Sequence, residues 1–264
     1  MASRSRAPAP LDDTHRDTHG DVSEPGPLRW TRERVAIAAA LWLVGLIALV
    51  VMSVFAHQYK TFPFDVPIEQ WVQNLLRYPA LTRFITFASD ANWPVPEGAI
   101  VIVVTLALGV LRRFREAIAA LFAGFGAANI SFLLNGIVAR PRPSGGGIHA
   151  VENIGLHSYP SGHASHVVAF YGLLLYLALR EGQAHPAWRR WLWVIEVICG
   201  YFLLFIGPSR VLEGEHWPSD VVASYLLGAL WLGLAIALYH ALGLWWERHQ
   251  QRRQHRDAGM ASPP

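Results

Sequence analysis

Three short motifs bring ionisable side chains to the borders of apolar runs. They are Ala139-Arg-Pro-Arg-Pro143, Tyr159-Pro-Ser-Gly-His163, and Ser209-Arg210 followed by His216 and Asp220. Arginine offers a planar fork that matches phosphate oxygens, which suits Arg140, Arg142 and Arg210 to gripping such a group. Ser161 and Gly162 stand just before an apolar segment. There a helix start leaves backbone N–H groups without partners and forms a ready anion site, and Gly162 lets the backbone come close to an oxyanion. His216 and Asp220 are four residues apart. A carboxylate at that distance can accept a hydrogen bond from one ring nitrogen, fix the tautomer and leave the other nitrogen nucleophilic. The inventory suits holding a phosphate, attacking it with an imidazole and protonating its leaving group.

Each motif also has a plainer reading. Ser161 serves equally as a helix cap, with His163 as an interfacial side chain. Arg210 can pair with Glu213 or Glu215 on the surface, and the basic flank 140–142 is common at helix ends.

The elements that must position these residues are hydrophobic. Of 264 residues, 53% are hydrophobic and 16% charged, against roughly 25% charged in soluble domains. A membrane-spanning helix needs about 20 largely apolar residues, and six windows approach that: 35–55, 95–111, 114–138, 163–179, 191–207 and 221–246. The expected fold is therefore an all-α, integral-membrane six-helix bundle over residues 30–246. Disordered tails are expected at 1–29 and 247–264. The first window is too long, and too poor in small residues at its flank, for a cleaved secretory signal. Cys199 falls inside the fifth window, and as the single cysteine it can form no disulfide within the chain.

Charge orients the bundle. Of the 22 Arg and Lys residues, 16 fall on the side of the N-terminus and 6 on the other. The positive-inside rule places both termini in the cytoplasm and all three motifs on the extracytoplasmic face of the plasma membrane. The basic residues are scattered over short segments, which argues against a nucleic-acid partner. Membrane lipids are the expected surroundings, and the arginine-rich C-terminal stretch can touch anionic lipid. Within the outer segment 57–94, residues 65–77 have apolar positions at helical spacing. They predict an amphipathic helix that either lies on the leaflet or caps the bundle. Ser144-Gly-Gly-Gly147 predicts a mobile stretch between two motifs.

In combination, the motifs resemble the signature of the type 2 phosphatidic acid phosphatase superfamily: Lys-x6-Arg-Pro, Pro-Ser-Gly-His, and Ser-Arg-x5-His-x3-Asp. The second and third elements match at every specified position. The resemblance covers roughly residues 35–245 and implies the six-span membrane branch, which works without a metal or other cofactor. It implies His216 as the nucleophile that forms a phosphohistidine, Asp220 as its orienting partner and His163 as the general acid. Arg142, Ser161, Gly162 and Arg210 would hold the phosphate oxygens of a lipid phosphate or diphosphate.

The first element departs from the pattern. Seven residues before Arg142 stands Asn135, where the family has lysine, and the only lysine in the chain is Lys60. Asn135 can donate a hydrogen bond to phosphate but brings no charge, and Arg140 is the neighbouring cation that could compensate. The missing charge keeps two alternatives open, a lipid phosphotransferase and a non-catalytic lipid-phosphate binder or transporter. A zinc cluster of His149, Glu152, His157 and His166 with His163 has irregular spacing and no HExxH pattern. Glu196, inside the fifth window, is expected to pair with Asn129 or a tyrosine, and Gly124 and Gly126 to permit close helix contact.

Overall fold

The computed structural model describes residues 31–150 and 157–260, with side chains up to Arg253. The expected tail 1–29 and Glu152 lie outside the described residues. Eight α-helices follow in order: α1 (Arg32–Gln58), α2 (Asp65–Gln73), α3 (Pro79–Asp90), α4 (Pro94–Val110), α5 (Phe114–Val138), α6 (Gly162–Ala184), α7 (Arg189–Leu212) and α8 (Pro218–Met260). Single 3-10 turns extend α2 over Asn74–Arg77 and precede α7 over Pro186–Trp188.

Five of these helices (α1, α5, α6, α7 and α8) are long and apolar enough to cross a membrane. The sixth expected span is built differently. Helix α4 has 17 residues and reaches only about 26 Å at 1.5 Å per residue. It passes the same length and hydropathy test only together with α3, from which it is bent by 62°. Proline explains the bend. Pro94 opens α4 and forces Trp93 into an extended conformation (ψ 153°), because the residue before a proline avoids helical backbone.

Helix α6 is the centre of the bundle and packs against α5, α7 and α8. Its Ala164, Val167, Phe170 and Leu173 are fully buried, facing a set that includes Ala119, Ala120 and Ala123 of α5. Small side chains let helices approach closely where no water drives them together. Gly124 and Gly126 meet the expectation. A Cβ on Gly124 would stand 2.7 Å from Val101, and one on Gly126 would stand 2.3 Å from the Trp231 ring. Helix α1 lies outermost against α8 and α5. Leu41, Leu43, Val44 and Ile47 are exposed along it, a face made for acyl chains.

Two expectations need correcting. Helix α8 runs on to Met260, well past the switch to polar residues after Trp246. Its continuation is rich in Gln and Arg, good helix formers, with no glycine before Gly259. Glu196 pairs with neither Asn129 nor a tyrosine. It accepts from Arg189 at 2.7 Å, two turns away on its own helix, while Asn129 turns back to the Phe125 carbonyl.

Candidate active site

All three motifs meet at one end of the bundle, because α5 and α7 finish there while α4, α6 and α8 begin there. The last turn of α5 supplies Asn135, the first turn of α6 His163, the last turn of α7 Arg210, and the approach to α8 His216. These residues, with Arg142 and Gly162, line one cavity of about 330 Å³. Its other walls are mostly apolar, with Trp93 and Pro94 of the α3–α4 bend and Phe125, Ala128 and Phe132 of α5. Ser161 lies beside the cavity as the N-cap of α6, its hydroxyl accepting from Ala164 N. Gly162 has open space where a Cβ would stand, the nearest atom being Ser131 Oγ at 4.0 Å.

His216 is buried, and its Nδ1 lies 2.6 Å from the Ser158 carbonyl oxygen. A carbonyl only accepts, so Nδ1 carries the proton and Nε2 holds the lone pair. Burial, with the charges of Arg210 and Arg142, holds the ring well below the ordinary histidine value and keeps it neutral near pH 7. The expected hydrogen bond from His216 to Asp220 is not made. Asp220 Oδ2 accepts from Trp217 N at 3.0 Å, the returning arm of a capping box at the start of α8. Its Oδ1 accepts from Arg140 Nη1 at 2.5 Å. Across the cavity His163 packs its ring against Trp93, 5.6 Å between centroids, and among the described residues its buried Nε2 has no hydrogen-bond partner.

The arginines divide into two kinds. Arg210 and Arg142 line the cavity. Arg210 Nη1 donates to Ser89 Oγ at 3.0 Å and to Glu213 at 2.9 Å, while its Nη2 sits against the Glu215 carboxylate. The pairing with Glu213 and Glu215 is thus real, but it is buried instead of lying on the surface. Burial raises the Glu213 carboxyl, a shift that Arg210 opposes. Arg142 donates through Nη1 to the Glu215 carbonyl at 2.7 Å. Arg140 is different: its side chain is wholly buried behind the cavity. It bridges Asp220, Asp65 (2.6 Å) and Ser219 (2.7 Å), and also donates to the Lys60 carbonyl. Phe62 and Trp217 flank its guanidinium. With its donors so engaged, it braces Asp220 and does not face the cavity. Asn135 does face it, and donates to the His157 carbonyl at 2.6 Å.

Helix α2 caps this end of the bundle, the second of the two arrangements its sequence allowed. Three of its polar residues, Asp65, Glu69 and Gln73, are buried, whereas Trp71 is 72% exposed. Asp65 also accepts from Ser219 N and Oγ, at 3.0 Å each. Among the described residues, Glu69 has no hydrogen-bond partner for either carboxyl oxygen. Burial beside Asp65 and Asp220 raises it to about 8. Gln70 and Gln73 hold the following loop by hydrogen bonds to Gly146 and His149, so the Ser144–Gly147 run is tied to α2. Asp65, Glu69, Ser219 and the Ser158 carbonyl are site components that the motifs do not announce, whereas Glu215 is a pairing the sequence offers to Arg210. The i,i+4 acids 65 and 69 were the one visible signal. Of the residues weighed for zinc, His166 turns away, sharing Nδ1 between the Gly124 carbonyl and Glu97.

Comparisons with known proteins agree with this architecture. Residues 116–244 match the model of the PAP2 superfamily. An undecaprenyl-diphosphatase of Sulfolobus acidocaldarius is 34% identical over 73 residues, 28% of this chain and 29% of that protein. A lipid A 1-phosphatase of Rhizobium johnstonii is 36% identical over 84 residues, 32% of this chain and 28% of that protein. The matched stretches thus span under a third of these relatives. Among solved structures, a transmembrane PAP2-type phosphatidylglycerolphosphate phosphatase from Bacillus subtilis superposes with a TM-score of 0.58. It is 17% identical, and the match covers 74% of this chain and 96% of that one. LpxE from Aquifex aeolicus gives 0.50 at 17% identity, over 67% and 98% of the two chains.

Proposed function

We propose that this member of the PAP2 superfamily hydrolyses a lipid phosphate or diphosphate through a phosphohistidine on His216. The observation that carries the reading is the His216 tautomer: a buried neutral imidazole with its lone pair on Nε2, in one cavity with His163, Arg142 and Arg210. Nε2 attacks phosphorus as the bond to the lipid oxygen breaks, and His163 gives that oxygen its proton. Arg142, Arg210 and the N–H groups at the start of α6 hold the phosphoryl oxygens while charge redistributes among them. Water then attacks the phosphohistidine and gives a proton to His163. The P–N bond breaks and inorganic phosphate leaves.

A lipid is the favoured carrier of the phosphate. The cavity lies at the end of membrane helices, and its apolar walls include Phe125 and Phe132, which are themselves exposed along α5. The names of the matched relatives point the same way, and candidate substrates are a polyprenyl diphosphate, phosphatidic acid and phosphatidylglycerol phosphate. The charge balance of the connecting segments favours a site on the extracytoplasmic face of the plasma membrane, with both termini in the cytoplasm.

The test is phosphate release from a panel of these lipids by the purified protein and its His216→Ala variant. The reading expects release by the wild type, a loss of at least 1000-fold in the variant, and ³²P trapped on protein after rapid quench only in the wild type. Equal release by both proteins would sink the nucleophile.

A further inference from the structure

Glu215 stands in the wrong place for a spectator. It immediately precedes His216, its side chain is 9% exposed, and its carboxylate contacts Arg210 Nη2 while lying 3.9 Å from Arg142 Nη1. Both arginines and Glu215 line the same cavity as His163 and His216. A carboxylate placed this way sets one anionic oxygen, Oε2, between two guanidinium groups. That is the stereochemistry an incoming phosphoryl group would require of the same pair.

We infer that Glu215 is a tethered competitor for the anion clamp: its carboxylate occupies the arginines in the resting site and must leave when a phosphoryl group binds. The inference rests on the phosphate-binding part of the function proposed above. A group attached to the next residue in the chain competes at an effective concentration of millimolar or more. It therefore raises the apparent Kd of every anion that needs the clamp by the same factor. Phosphate and sulfate in the surroundings are held off, while a substrate that adds lipid contacts to its phosphate still binds. After hydrolysis the returning carboxylate takes back the arginines and helps expel inorganic phosphate. With Glu215 in place, the buried guanidinium of Arg210 and the half-buried one of Arg142 also keep a counter-charge between turnovers.

The experiment measures inorganic phosphate and sulfate binding to the full-length protein in detergent at constant ionic strength, for wild type, Glu215→Gln and Glu215→Asp. Glu215→Gln is expected to bind both anions about 10-fold more tightly, and product inhibition by phosphate should tighten by the same factor. Glu215→Asp withdraws the carboxylate by one methylene and is expected to shift both in the same direction by less, which keeps the test open if the glutamine variant folds poorly. A purely structural role for Glu215 predicts the opposite sign, since loosening the arginines weakens anion binding. Unchanged or weaker binding overturns the inference. Turnover by the wild type without tighter binding in the variants sinks the role of Glu215 alone. Tighter binding without any turnover sinks the hydrolase reading alone.

Discussion

The imidazole of His216 is oriented by the main-chain carbonyl of Ser158, 2.6 Å from Nδ1, and not by the carboxylate of Asp220 four residues on. Asp220 instead joins the capping box of α8 to the buried guanidinium of Arg140. The motif that carries His216 and the element that orients its ring therefore come from different parts of the chain, the α7–α8 turn and the segment before α6.

This division separates chemistry from stability at Asp220. Asp220→Asn removes one of the two carboxylates that face the wholly buried Arg140 and leaves Asp65 as the other, so the cost stays below the about 3–5 kcal/mol of a fully broken buried pair. A clear fall in apparent Tm is expected. The low-pH limb of kcat/KM, set by protonation of His216 below its ordinary 6.5, should stay in place for the folded fraction. A limb that moves with Asp220→Asn would return the orienting role to the carboxylate.

Asn135 faces the cavity where the superfamily pattern has a lysine, and its amide is engaged by the His157 carbonyl. Asn135→Lys adds a cation to a clamp that otherwise rests on Arg142 and Arg210. A gain in kcat/KM of about 10-fold, or about 1.4 kcal/mol of transition-state stabilisation, is expected in a lipid phosphatase assay. No gain would show that the two arginines already supply the needed charge.

Glu69 makes stability depend on pH with an unusual sign. Its carboxyl is raised from 4.5 to about 8 by burial near Asp65 and Asp220, so between these values the folded state binds more protons than the unfolded one. Stability contributed by the protonated form is complete below about 4.5 and is lost as pH rises through about 8. Melting curves from pH 5 to 9 should show apparent Tm falling with pH. Glu69→Gln, neutral throughout, should flatten that slope.

The turn that delivers His216 depends on Gly214, whose φ of +68° is left-handed. A Cβ there would fall 1.9 Å from the His149 carbonyl oxygen. Gly214→Ala is expected to lower apparent Tm and to cut turnover by more than 10-fold, since either the turn or the 145–150 loop must move. Gly136→Ala, with no atom within 4 Å of its added methyl, should match or slightly exceed the wild type in stability.

The legible part of the molecule was what local chemistry dictates. Long apolar runs announced the helices, and Ser161 before an apolar segment announced the start of α6. The spacing of Arg210, His216 and Asp220 announced a turn between two helices. What stayed hidden depends on partners far along the chain. Nothing near Arg140 shows that Asp65, 75 residues earlier, will claim it, and a main-chain carbonyl such as that of Ser158 has no signature in residue types. Composition shows the apolar length of α4 but not the 62° bend that joins it to α3. In α8 the loss of hydrophobicity after Trp246 is not a loss of helix, which continues to Met260.

Helix α2 reverses the usual relation between a helix face and its surroundings, with acids inside and Trp71 outside. Ordinary rules of substitution invert at positions 65, 69 and 71. Replacing Asp65 or Glu69 with leucine would look like an improved core by hydrophobicity, yet at position 65 it strips Arg140 and Ser219 of their shared acceptor. Replacing Trp71 with a charged residue would look like an improved surface, yet it removes an aromatic ring of the kind that anchors segments at a lipid boundary. A homologue search or a design protocol that scores α2 by burial alone will therefore reject the working sequence and favour broken ones.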